Sequence, residues 1–219
     1  MIAVASVVMA LTACSEKTNP EPAAPAAIDV NALKASAEKG EAEAQYALGK
    51  HFIKEVEYKE AAKWLQLAAD QGHAGGQLGL GQLLEVGQGV AKDEAKAAEL
   101  FRKSAEQGNA AAQFSLASLY IKGAGVPADV TEAIKWLRRA ANQGDSLAQL
   151  NLGVRYYDGN GVPMDLVEAF QWLTLAKAQG DVDPTKTVEG LTKKLKPEQL
   201  AEAQRRVAAF VVKPETAKN

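Results

Sequence analysis

Residues 109–144 read NAAAQFSLASLYIKGAGVPADVTEAIKWLRRAANQG, and the fold of the whole chain is legible in this one stretch. The side chain of Asn109 can accept a free amide of a first helical turn. Leu116 and Tyr120, four residues apart, share a helical face. Gly123 and Gly125 break that helix and permit positive φ. Pro127 fixes the exit. Asp129, with Glu132 three residues on, has the form of a capping box. Ala133, Trp136, Leu137, Ala140 and Ala141 give the next helix one apolar face. Gly144 closes it as a left-handed cap. The stretch predicts two helices joined by a tight turn.

The closing string recurs along the chain. It reads AEKG at 37–40, ADQG at 69–72, AEQG at 105–108, ANQG at 141–144 and AKAQG at 176–180, with glycines 32, 36, 36 and 36 residues apart. A fixed period in this range predicts an all-α solenoid of helix-turn-helix repeats. Each repeat then contacts mainly its neighbours, and the stack presents a long surface suited to binding rather than catalysis. Leu48/Phe52, Leu80/Leu84 and Leu152/Tyr156 fill the Leu116/Tyr120 columns. Beside them stand small pairs, Ala44/Gly49, Gly76/Gly81, Ala112/Ala117 and Ala148/Gly153, which let neighbouring helices approach closely. Asp165/Glu168 repeat the capping pattern, and Glu57 occupies the same column in the first copy.

The pattern A-Q-x-x-L-G-x-x-Y, then G-x-G-V-P-x-D, then A-x-x-W-L-x-x-A-A-x-Q-G resembles the SEL-one-like repeat, a relative of the tetratricopeptide repeat. It covers residues 41–180 in four copies, 41–72, 73–108, 109–144 and 145–180. The resemblance implies an α/α right-handed superhelical solenoid used for protein–protein contact. The first copy departs from it, lacking the G-x-G-V loop and being four residues shorter. Leu100 departs too, standing where Trp64, Trp136 and Trp172 stand elsewhere. Residues 29–40 resemble a lone second helix that caps the start. Beyond Gly180 the period fails. Pro184–Leu195 and Pro197–Val212 read as closing helices within a 181–219 cap and tail, with Leu200, Val207 and Phe210 covering the last repeat.

The N-terminus reads as an address. Ile2 to Leu11 form an apolar run of signal-peptide length, too short to span a membrane. Leu11-Thr12-Ala13-Cys14 resembles a bacterial lipobox, so residues 1–14 are expected to be a lipoprotein signal with Cys14 the lipidated residue. The basic residues that usually open such a signal are missing after Met1. Ser15 resembles the pattern that directs such proteins to the outer membrane. Residues 15–28, rich in proline and alanine, have the composition of a tether. Cys14 is the single cysteine, which excludes internal disulfides and cysteine-based zinc. A net charge of −2 argues against nucleic acid, which wants a strongly basic face.

Few residues suit chemistry. His51 and His73 lie in different repeat columns, and His73 falls where Asn109 and Asp145 start helices, so no metal site is expected. Ser36-Ala-Glu-Lys39 matches the S-x-x-K of serine acylases. Ser36 nevertheless shares a packing column with Ala68, Ser104 and Ala140. The cysteine-rich branch of the family linked to β-lactams has repeat cysteines that this sequence lacks. The pairs Gly87/Gly89, Gly123/Gly125 and Gly159/Gly161 follow helices, so they are turns rather than phosphate cradles. The tryptophans are expected in the core. No catalytic residue, cofactor or metal follows from the sequence.

Binding positions are free to vary where structural columns repeat. If the geometry resembles tetratricopeptide arrays, the first helix of each repeat lines a concave face. The inward positions are then Lys50, Gln82, Ser118 and Val154, followed by Ile53, Glu85, Ile121 and Tyr157, then Lys54, Val86, Lys122 and Asp158. Tyr46, Leu78, Phe114 and Leu150 form an apolar row assigned to packing between helices. The expectation is a non-catalytic adaptor in the bacterial cell envelope, on the periplasmic side. It would meet a protein or peptide partner through that face, and the membrane only through its lipid. The alternatives are a periplasmic regulator of a sensor or secretion component and, last, a β-lactam- or peptidoglycan-related hydrolase.

Overall fold

The computed structural model describes residues 29–215 of the chain. The 1–14 signal, the Cys14 assignment and the whole 15–28 tether lie outside the described residues. Among the described residues there are eleven helices and no strand. A single helix, α1 (Val30–Glu38), comes first. Four hairpins follow: α2 (Ala42–Lys54) with α3 (Tyr58–Asp70), α4 (Ala74–Val86) with α5 (Glu94–Glu106), α6 (Ala110–Lys122) with α7 (Val130–Asn142), and α8 (Ser146–Asp158) with α9 (Leu166–Gln179). Then α10 (Thr185–Lys194) and α11 (Pro197–Ala208) both pack on α9. Each hairpin also packs on the next one, so the order in sequence is the order in space.

The helices start where the sequence supplies an acceptor. Asn109 Oδ1 accepts from the Ala112 amide at 3.0 Å, Asp129 Oδ1 from Glu132 at 3.0 Å and Asp165 Oδ1 from Glu168 at 3.0 Å. His73 does the same through Nδ1, which accepts from the Gly76 amide at 3.0 Å. The reciprocal half of the expected capping boxes is not formed. Glu132 pairs with Lys135, while Glu168 accepts from Trp172 Nε1 and from Arg206. A cation offers a carboxylate a stronger, charge-assisted bond than the backbone amide of a cap does. Glu57 makes no side-chain cap bond.

The core is a stack of leucines and alanines. Leu48, Leu65, Leu80, Leu116, Leu137, Leu152 and Leu173 are sealed from solvent, and so is Phe101, which fills the space left by Gly81. The tryptophans do not behave alike: Trp172 is buried, whereas Trp64 and Trp136 are half-buried. Each of these two packs against the edge of a core cluster rather than inside it.

A ladder of glutamines joins the two helices of each repeat and ties them to the segment before. Gln71, Gln107, Gln143 and Gln179 donate to Gln45, Gln77, Gln113 and Gln149 at 2.7, 2.7, 2.9 and 2.7 Å. Gln45, Gln113 and Gln149 in turn donate to the carbonyls of Ala37, Ala105 and Ala141. These receiving amides are buried, and each would cost free energy if left unpaired. The Q of the closing string and the Q of the opening one are therefore two halves of one joint.

The turn inside each hairpin packs on the repeat before it. At Gly125 φ is +69°, and an added Cβ would stand 2.1 Å from the Glu94 carbonyl oxygen. Only glycine fits both that backbone and that contact. The shorter first repeat has no such loop. Its α2 ends in a Schellman closure, with the Glu57 amide donating to the Phe52 carbonyl at 2.9 Å and the Val56 amide to Ile53 at 3.1 Å. The left-handed residue of that closure is Val56, with φ +63°.

Candidate functional site

Helix α4 reads AGGQLGLGQLLEV and departs from its counterparts in carrying glycine at 75 and 79. Ala111 and Leu147 occupy the first of these columns elsewhere, and Ser115 and Asn151 the second. Without those side chains α4 approaches α2, and the Tyr46 ring lies directly on the Gly75 backbone. A Cβ there would stand 2.6 Å from Tyr46 Cζ. The space left over is a cleft of about 250 Å³ between α2 and α4. Ile53, Leu65 and Leu78 supply its apolar wall, and Lys50, Lys54 and Gln82 its polar rim.

Electrostatics at the rim favour an anion. Among the described residues, neither Lys50 nor Lys54 forms an ion pair, although both are exposed. Lys50 Nζ sits 5.3 Å from the Tyr46 ring centroid, a cation–π placement that holds it over the cleft. The other face of this corner is fixed by His73, whose ring lies 4.7 Å from that of Tyr46. Because His73 Nδ1 accepts from Gly76, its proton resides on Nε2, which donates to Glu43 at 2.8 Å. A second cleft of about 210 Å³ runs along the opposite side of the same two lysines, lined by Glu43, Ala47 and His51.

The predicted face is thus divided. Lys50, Ile53, Lys54 and Gln82 converge on the cleft. Glu85 and Lys122 instead face each other across α4 and α6 at 3.7 Å. Ser118 Oγ donates to the Phe114 carbonyl of its own helix, and Ile121 packs on the core. Val154 is exposed, and Tyr157 lies 5.6 Å beneath Lys194 of α10, so the C-terminal end of the face is partly covered. Asp158 and Val86 are exposed at helix ends. Tyr46, Leu78, Phe114 and Leu150 are half-buried against the core, consistent with packing between helices. Sequence reasoning missed Gly75, Gly79 and Leu65. The signal was the run of glycines in α4, which the repeat pattern does not require.

The other chemical candidates come apart. No side-chain hydrogen bond joins Ser36 to Lys39 among the described residues, and Lys39 lies exposed at the end of α1. No group of three or more metal-ligating side chains occurs among them either.

An array of helical hairpins stacked in sequence order defines an α/α solenoid. A family model for the Sel1 repeat matches residues 42–73, 74–109, 110–145 and 146–181, and the chain belongs to the Sel1 repeat family. Sel1 repeat proteins generally mediate protein–protein interaction. The chain is similar to a Sel1 repeat protein from Oxalobacter formigenes, with 31% identity and a TM-score of 0.65 over 76% of this chain. It is also similar to a protective antigen present in uropathogenic Escherichia coli strains, with 31% identity and a TM-score of 0.54 over 83% of this chain. The chain spans only 49% and 48% of the length of those two proteins. A Klebsiella pneumoniae Sel1 repeat protein at 24% identity shares the fold, with a TM-score of 0.54 over 81% of this chain and 98% of its own. No curated protein matches the chain.

Proposed function

We propose that this chain is a non-catalytic scaffold of the bacterial cell envelope whose partner docks on the first-helix face, with the α2–α4 cleft as anchor. The observation that carries the reading is the apolar cleft under two lysines that lack an anion. A partner segment with one apolar side chain for the cleft and a carboxylate beside it satisfies both features. The lipobox-like Leu11-Thr12-Ala13-Cys14 supports a lipid anchor, and the segment after it supports a tether from that anchor to the repeats.

A crosslinked pull-down from envelope extract tests the docking site. The chain and its K50E/K54E variant are compared. A partner captured by the native chain and lost by the folded variant supports the cleft. Equal capture by both moves the site elsewhere. For the anchor, Cys14→Ala should shift the protein from the membrane to the soluble fraction. A native chain already in the soluble fraction would refute lipidation.

A further inference from the structure

The C-terminal segment does not end at α11. Residues 210–215 leave that helix without regular structure and run back along the edge formed by the turns between repeats. Phe210 stacks edge-on against Trp172, with ring centroids 5.8 Å apart. Val212 reaches Gly144, and the Lys213 amide donates to the Asn142 carbonyl at 2.9 Å. Glu215 then arrives at the glutamine joint of the third repeat, beside Gly108 at the end of the second. Arg139 donates to its carboxylate through Nε at 3.1 Å and through Nη2 at 2.6 Å. Gln113 Nε2 adds a third bond at 3.1 Å, and the Glu215 amide donates to Gln143 Oε1 at 3.1 Å.

Two features set this station apart from ordinary capping. The Gln113–Gln143 joint has a counterpart in every repeat, but the arginine does not. Leu67, Lys103 and Leu175 fill the Arg139 column, and only the third repeat places an arginine one turn from a tryptophan. The Arg139 guanidinium lies 4.4 Å from the Trp136 ring, which orients its donors toward the carboxylate. Beyond Phe210 the apolar residues of the tail bury little: Val211 and Val212 remain 70% and 51% exposed. Polar contacts, at the Glu215 carboxylate and through the Lys213 and Glu215 amides, hold the tail's end.

We propose that the Gln113–Arg139–Gln143 edge is a second peptide-binding site, which takes an extended acidic segment and is held closed by the chain's own tail. The ligand has the tail's chemistry: an aromatic residue, an apolar residue two positions on, and a glutamate three positions after that. This site lies on a different edge from the α2–α4 cleft and does not depend on that cleft's function. Tethering a few residues from α11 gives the tail an effective concentration of order millimolar, so it outcompetes a free ligand of ordinary peptide affinity.

The test uses full-length chains and a fluorescent peptide spanning residues 208–219. Anisotropy titrations compare the native chain, Glu215→Ala, and Glu215→Ala combined with Arg139→Met. Circular dichroism confirms that all three stay helical. The expected result is at least ten-fold tighter binding to Glu215→Ala than to the native chain, with the gain lost on adding Arg139→Met. Equal affinity for all three, or no binding to the helical Glu215→Ala chain at millimolar concentration, overturns the proposal. Hydrogen exchange provides a second readout: excess peptide should speed exchange of the Lys213 amide in the native chain, and an unchanged rate also counts against displacement.

Discussion

Replacing Val56 with glycine should stabilise this protein. Val56 closes α2 at φ +63°, with its side chain 66% exposed. A left-handed backbone costs an L-residue roughly 1–2 kcal/mol, and a β-branched one sits at the upper end. The exposed side chain forfeits little burial when removed. Glycine loses more unfolded-state freedom on folding, which returns about 0.5–1 kcal/mol of the gain. The net expectation is a gain of about 1 kcal/mol, or about 2–4 °C in Tm for a chain of this size. Asparagine tolerates the same region and should behave similarly. Alanine retains a Cβ and should gain much less. The assay is thermal and urea unfolding of the Gly, Asn and Ala variants, followed by far-UV circular dichroism. An Ala variant as stable as the Gly variant would refute the backbone argument, because the gain would then come from the lost side chain. A destabilised Gly variant would show that Val56 is held by contacts rather than strained.

Gly125→Ala should cost more than about 2 kcal/mol, since the left-handed penalty adds to a Cβ held 2.1 Å from a carbonyl oxygen; denaturant titration checks it. Arg155 is buried where Leu83 and Leu119 stand in other repeats, its Nε lacks a partner among the described residues, and burial lowers its pKa. Arg155→Leu should therefore raise stability by about 1 kcal/mol by the same measurement. Burial raises the carboxyl pKa of Asp145 at the start of α8, against the opposing pull of the Ala148 amide. A folded carboxyl that holds its proton more tightly than the unfolded one favours folding in acid, and that contribution fades as pH rises through the folded pKa. Asp145→Asn keeps an acceptor for the cap, as Asn109 does, so its stability relative to the native chain should improve between about pH 4 and pH 7.

The helices were legible because their signals are local. Cap residues, glycine stops and apolar stripes at helical spacing act within a few turns, and a 36-residue period repeats them often enough to remove ambiguity. The half-formed capping boxes show where local reading fails. Glu168 is within reach of its own backbone, but Arg206, 38 residues away, takes one oxygen. The candidate site was legible in part for the same reason. Lys50, Ile53, Lys54 and Gln82 follow from projecting the repeat onto one face. Whether such a face is open or covered depends on what the neighbouring helix lacks. The cleft exists because two glycines of α4 withdraw, and Tyr157 is shaded because α10 brings Lys194 over it.

The sequence alone determined that this chain is an all-helical solenoid, where its hairpins begin and end, and that columns of leucine and alanine build its core. In a one-dimensional array each of these is a nearest-neighbour property, set by residues close together in the chain. Tertiary structure alone decided which glutamines meet between the two helices of a repeat, which tryptophans are sealed, and where the tail goes. Glu215 meets Arg139 across a sequence separation of 76 residues, and nothing periodic links them. Contacts of that kind arise only once the stacked repeats have fixed the edge along which the tail lies.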